Sequence, residues 1–184
     1  MGKVISLESL KIHKAAQRGF KEWQRRFQSL PILDEHSLWS HLPDDLILFL
    51  AEDTDGSREI LHDLLMGSLG LGNGYEFESL PSEKLLHLLD VNFILIDQIR
   101  FECMRRLGWI LEIPLAHMPI IGLIREFGHS DLPLLTPIPE LTPSHPDFSE
   151  YASLNEMEKR TFIRRMIPEA VKQFAAAVKS KKNI

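Results

Sequence analysis

The sequence predicts an all-α protein, an irregular single-domain helical bundle of about six to seven helices spanning residues 1–184. Apolar residues recur at steps of three and four in many segments, which is the spacing of amphipathic helices. No period-two alternation of useful length is present, so strands are not expected. One segment, 81–108, has no interior Gly or Pro. We expect the other helices to surround it.

The segment 81–108 is predicted to be a buried central helix. Pro81 suits the first turn, while Arg105, Arg106 and Gly108 suit the end of a helix. Apolar side chains cover more than half of its circumference, whereas a surface helix needs only a stripe of about 100°. The residues of this apolar arc are Leu85, Leu88, Leu89, Phe93, Leu95, Ile96, Ile99, Cys103, Met104 and Leu107.

The remaining helices follow from the same periodicity and from their capping residues. Ser57 is the predicted cap of a helix over 58–69, Ser144 of a short helix within 146–154, and Ser153 of the last long helix. Five prolines between residues 132 and 146 predict an extended strap over about 131–146, and KSKKNI predicts a frayed basic tail over 180–184. The predicted helices beside the central one are 6–30, 44–53, 58–69, 120–127, a short one within 146–154, and one from Ser153 to about Ser180 through Pro168.

Charge is segregated along the chain. Residues 1–30 carry seven basic and two acidic side chains, and residues 159–184 carry eight and one. Residues 31–98 carry two basic and fourteen acidic side chains. The basic ends therefore either complement the acidic middle within the molecule or form a patch for an anionic partner.

A row of cations follows one face of the predicted first helix. Lys11, Lys14, Arg18, Lys21 and Arg25 lie opposite an apolar face that includes Trp23 and Phe27. The row extends about 21 Å along a helix axis. It is the candidate surface for nucleic acid or another polyanion, and such binding would weaken steeply with salt.

The central helix carries the candidate metal ligands. His87 and Asp90 are three residues apart, so they could share one ion, but a site would need further ligands from other helices. A metal-dependent enzyme at His87 and Asp90 is thus one hypothesis. The alternative, which we favour, is a half-exposed polar face stabilised by pairs of neighbouring side chains.

Arg100 falls inside the apolar arc and therefore needs an acidic partner, because an unpaired buried charge costs several kcal/mol. Asp97, three residues earlier, is the nearest candidate. The sequence therefore predicts a buried structural pair between Asp97 and Arg100.

No catalytic motif or metal-binding signature is present, and Cys103 is the only cysteine. We expect no cofactor. The longest apolar runs are far shorter than the ~20 residues of a membrane span, and no signal peptide is recognisable, so we expect a cytoplasmic protein without a membrane span. The favoured function is a non-catalytic protein-protein interaction or regulatory module that contacts an unidentified protein or itself, as a homo-oligomer. Trp23, Phe27, Trp39 and Trp109 are candidate anchors if they are exposed.

Overall fold

The computed structural model describes residues 36–71, 79–130 and 137–182, and these parts of the chain are all-helical. Within these ranges the only β-pairing is an isolated antiparallel bridge between Ile110 and Leu141. No helix here is long and apolar enough to cross a membrane. The elements are a 3-10 helix at Trp39–His41, α1 at Asp44–Ala51, α2 at Asp55–Ser68, α3 at Ser82–Arg106, α4 at Ile120–His129, α5 at Phe148–Ala152 and α6 at Glu156–Lys182.

Helix α3 has close to the bounds that the sequence predicts. Pro81 is its N-cap, and Arg105 and Arg106 lie in its last turn. Gly108 follows with φ +76°, a left-handed conformation that glycine adopts without a Cβ penalty. The helix packs against α1, α2, α4 and α6, so helices from both ends of the described chain contact it.

The buried surface of α3 differs from the predicted apolar arc. Leu89 and Phe93, which were expected to be buried, are exposed. Conversely, Val91, Ile94 and Phe101 are buried although they lie outside the predicted apolar arc. The reason is that burial changes along the helix: residues 94–104 are buried on nearly every side, whereas many side chains of the first half face solvent.

Helix α2 begins earlier than predicted, and Ser57 is not its cap. Thr54 is the N-cap, and its hydroxyl accepts a hydrogen bond from the backbone N–H of Ser57 at 3.3 Å. Ser57 itself is buried in the first turn, where its Oγ donates to the Thr54 carbonyl at 2.9 Å. Thr54 provides the better cap because it stands at the point where the chain leaves extended geometry.

The caps predicted for α5 and α6 are also wrong by two or three residues. Asp147 precedes α5, while Ser144 donates a hydrogen bond to the Thr142 hydroxyl. Asn155 caps α6, since its Oδ1 accepts from the N–H groups of Met157 and Glu158. The Glu158 carboxylate accepts from the Asn155 N–H in return, which completes a capping box.

Helix α6 runs through Pro168 without interruption, and it keeps its apolar face in phase on both sides. Ile163, Ile167, Ala170, Phe174 and Val178 are buried, as the sequence predicts. Arg165, Lys172 and Lys179 on the opposite face are exposed. This long helix packs against both α3 and α1.

The predicted first helix lies outside the described residues, as do residues 131–136 of the strap. The part of the strap from residue 137 onward contains no regular element before α5 except the bridge at Leu141. Thr142 fixes this segment by donating from its N–H and its hydroxyl to the Trp109 carbonyl. The end of the strap is thus held against the chain that leaves α3.

Candidate functional site

A groove of about 860 Å³ lies between α3, the end of α1 and α6. This is within the range of about 300–1,000 Å³ that is typical of ligand sites in proteins. Its apolar lining residues come from all three helices: Ala51, Phe93, Ile167, Pro168, Val171 and Ala175. The groove is a concave surface at the junction of elements that are distant in sequence.

Charged side chains of both signs line the same groove. The carboxylates are Glu52, Asp90 and Asp97, and the cations are Arg100, Arg160, Arg164 and Lys172. No Ser, Thr, Cys, His or Tyr is among these lining residues. The groove therefore offers ionic and apolar contacts, and its described lining residues include neither a hydroxyl or thiol nucleophile nor an imidazole base.

The predicted buried pair of Asp97 and Arg100 is replaced by contacts of each residue with another segment of the chain. Arg100 Nη2 lies 3.6 Å from Oδ2 of Asp53, which follows α1. Asp97 Oδ2 lies 3.9 Å from Nη2 of Arg164 on α6. Arg100 is also only partly buried, with 26% of its side chain exposed. The partners of Asp97 and Arg100 therefore come from segments that are distant in sequence, α6 and the turn that follows α1.

Asp53 is the carboxylate at this edge of the groove whose ionisation is most clearly perturbed. A hydrogen bond from Arg58 Nε at 2.8 Å is the main reason that the pKa of Asp53 is lowered, and the charge of Arg100 adds to this effect. Asp53 is therefore held as an anion, which makes it a poor general base or acid near neutral pH.

An exposed apolar stripe continues from the groove along the first half of α3. Leu86, Leu89 and Phe93 have 63%, 48% and 53% of their surface exposed. Their spacing of three and then four residues puts them on one face of the helix. Phe93 also lines the groove, so the stripe and the groove form one continuous surface.

The metal hypothesis at His87 and Asp90 gains no support from the positions of these side chains. His87 Nε2 lies 2.7 Å from the Phe127 carbonyl oxygen, so this nitrogen is a donor and is not free to bind a metal. Asp90 is exposed and faces the groove. In the described parts of the chain, no three His, Cys, Asp or Glu side chains are grouped closely enough to hold an ion.

The tryptophans that the structure describes are not exposed anchors. Trp39 is buried in the core, and Trp109 is half-buried with its ring edge-on to His145 at 5.0 Å. Trp23 and Phe27 lie outside the described residues. The cation row of Lys11, Lys14, Arg18, Lys21 and Arg25 lies there too, so polyanion binding through that row stays a prediction from the sequence.

Sequence reasoning missed the groove and the exposed stripe. Leu89 and Phe93 fall in the predicted apolar arc because their periodicity matches that of the buried positions of α3, whereas Leu86 lies outside that arc. The signal that distinguishes them is weak: Glu83 and Asp90 flank the stripe, whereas the second half of the helix has apolar residues on more of its faces.

The chain matches no protein-family model, no curated protein and no solved structure. Its functional interpretation therefore depends on its own residues.

Proposed function

We propose that this protein is a non-catalytic interaction module that binds a helix in the groove between α1, α3 and α6. The observation that carries the proposal is the continuity of the apolar groove lining with the exposed stripe Leu86, Leu89 and Phe93. Contiguous exposed apolar surface next to polar residues is a common mark of protein interaction sites. The absence of hydroxyl, thiol and imidazole groups from the groove lining supports a binding role over a catalytic one.

The dimensions of this surface suit a helix of about four turns. On α6 the lining extends from Arg160 to Ala175, and on α3 the stripe and groove extend from Leu86 to Arg100. At 1.5 Å per residue these lengths are both about 21–23 Å. An amphipathic helix of about 14 residues has this length and presents its apolar side chains at the spacing used in helix-in-groove recognition.

The mixed charges of the groove would give such a contact its orientation. Arg164 is about half exposed, and Asp90 is exposed beside the apolar lining. Charges at the edge of an interface contribute more to orientation and partner choice than to affinity. A bound helix would therefore carry apolar anchors in its centre and charges of both signs on its flanks.

To test the proposal, helical peptides of about 14 residues are selected for binding to the full chain. These peptides carry apolar residues at i, i+3 or i+4, and i+7. We expect the recovered peptides to bind at least ~10-fold more weakly to Phe93→Asp, since a central apolar anchor is lost. Affinity is measured by fluorescence anisotropy at a protein concentration low enough to keep the chain monomeric.

Leu111→Asp is the matched control, because Leu111 is an exposed leucine outside the groove. It should leave peptide affinity unchanged, and circular dichroism should confirm that both variants are folded. Failure to recover any peptide, or equal binding to Phe93→Asp and wild type, would refute the proposed site.

A further inference from the structure

We infer that the occupant of this surface is a second copy of the same chain, with two α3 helices crossing antiparallel near Phe93. The inference rests on the proposed function and names its partner. The resulting homodimer has a two-fold axis close to Phe93. Each copy places its exposed stripe against the groove of the other.

The surface formed by the stripe and the groove is complementary to itself. A two-fold interface uses the same patch on both copies, so the patch must contain both a projecting part and a receiving part. Here the projecting part is the stripe Leu86, Leu89 and Phe93, and the receiving part is the groove walled by Ile167 and Val171. Both parts meet at Phe93.

The spacing of the stripe residues suits packing against a second α3 helix. Steps of three and four residues form the seam by which α-helices pack side by side in coiled coils. Leu86 and Arg100 are each seven residues from Phe93, a distance of about 10.5 Å along the axis. Antiparallel crossing at Phe93 therefore brings Leu86 of one copy over the aliphatic stem of Arg100 in the other.

The charges along α3 favour the antiparallel arrangement. Glu83 and Asp90 are exposed in the first half of α3, while Arg164 beside its second half is about half exposed and its partner Asp97 is mostly buried. Antiparallel helices bring these opposite charges together. Parallel helices would instead align the carboxylates of both copies, and like charges at an interface are unfavourable.

Sedimentation velocity of the full chain tests this inference. Protein concentrations up to roughly 500 µM are high enough to populate a dimer of micromolar affinity. We expect a dimer whose dissociation constant rises at least ~10-fold in Leu86→Asp/Phe93→Asp and stays unchanged in Leu111→Asp. A monomer at every concentration overturns the inference, and it would leave residues 1–35 or a foreign helix as the occupant. A dimer that is unaffected by Leu86→Asp/Phe93→Asp overturns it as well.

Disulfide cross-linking tests the geometry separately. With copper phenanthroline as oxidant, Phe93→Cys should form a covalent dimer, because the two introduced thiols meet at the axis. Leu86→Cys should not, since its two copies lie about 21 Å apart, beyond the ~7 Å limit for Cα atoms joined by a disulfide. Cross-linking of both variants indicates parallel helices and refutes the arrangement.

The outcomes separate this inference from the proposed function. Peptide binding that depends on Phe93 in a monomeric chain would retain the docking site and reject the second copy as its occupant. A dimer disrupted by Leu86→Asp/Phe93→Asp supports both, even if the peptide selection recovers only weak binders.

Discussion

At the scale of single residues, Glu102 and Arg106 show how the core tolerates charge. Glu102 is fully buried, yet its two oxygens accept hydrogen bonds at 2.7 Å from Arg105 and Arg106. Arg106 extends further, donating to Asp44 and to the carbonyls of Trp39 and Leu42. This one guanidinium therefore joins α3 to the 3-10 helix and to the start of α1.

Arg106→Ala is expected to destabilise the protein by about 3 kcal/mol or more, because it removes one partner of a buried carboxylate and the donor to two carbonyls. Arg105→Ala is the control. It removes the other partner of Glu102 but leaves the contacts of Arg106 with Asp44, Trp39 and Leu42 intact, so a smaller loss of about 1–2 kcal/mol is expected. Urea unfolding of both variants measures the difference, and equal losses would contradict a special role for Arg106.

The same region explains why Cys103 is chemically inert. Its thiol is fully buried, and burial raises its pKa to about 12. The thiolate is the reactive form of cysteine, and it is scarce at neutral pH when the pKa is this high. The native cysteine should therefore not interfere with the cross-linking of introduced thiols.

At the scale of elements, the start of α6 depends on a cap that differs from the one suggested by residue type. Ser153 and Asn155 are both good capping residues and are only two positions apart. Asn155 accepts two hydrogen bonds from the first turn of α6, whereas Ser153 donates to the Glu150 carbonyl at the end of α5. The choice depends on where α5 ends.

Asn155→Ala should destabilise the protein by about 1 kcal/mol, because the first turn of α6 loses its side-chain acceptor. Ser153→Ala should lower the free energy of unfolding by only about 0.3 kcal/mol, because water readily replaces the hydrogen bond between an exposed hydroxyl and a carbonyl. Thermal unfolding compares the two exposed positions directly. A larger loss for Ser153→Ala would mean that α6 begins earlier than Asn155.

At the scale of the whole molecule, Asp44 connects three helices. It lies in the first turn of α1 and contacts Arg106 of α3 and Lys181 of α6, each at 2.7 Å. The hydrogen bond from Lys181 is the largest reason that the pKa of Asp44 is lowered, and Arg106 acts in the same direction. Asp53, at the other end of α1, likewise has a lowered pKa because of Arg58.

These two carboxylates predict a loss of stability in acid. A group whose pKa is lower in the folded state than in the unfolded state stabilises the protein at pH values above its unfolded pKa, here near 3.8. That contribution is lost as the pH falls through the pKa of the folded state. The free energy of unfolding should therefore decrease below about pH 4. Asp44→Asn/Asp53→Asn should be less stable at pH 6 and should lose less on acidification, as measured by urea unfolding at each pH. An equally steep loss in this variant would assign acid sensitivity to other groups.

The sequence by itself determined the all-helical class and the approximate extent of α1, α3, α4 and α6. These properties follow from local physics: the period of apolar residues, the missing N–H of proline and the conformational freedom of Gly108. Inertness of Cys103 followed from its place among apolar neighbours. Each of these signals is contained within a few turns of the chain.

Only the tertiary structure decided which apolar face of α3 is covered and which carboxylate meets which guanidinium. Leu86, Leu89 and Phe93 have the same periodicity as buried leucines, and they differ only because no described helix covers the first half of α3 on that side. Asp97 and Arg100 contact partners that are distant in sequence, Arg164 on α6 and Asp53 in the turn after α1. Burial and ion pairing depend on how helices pack together, and a pattern within one helix does not contain that information.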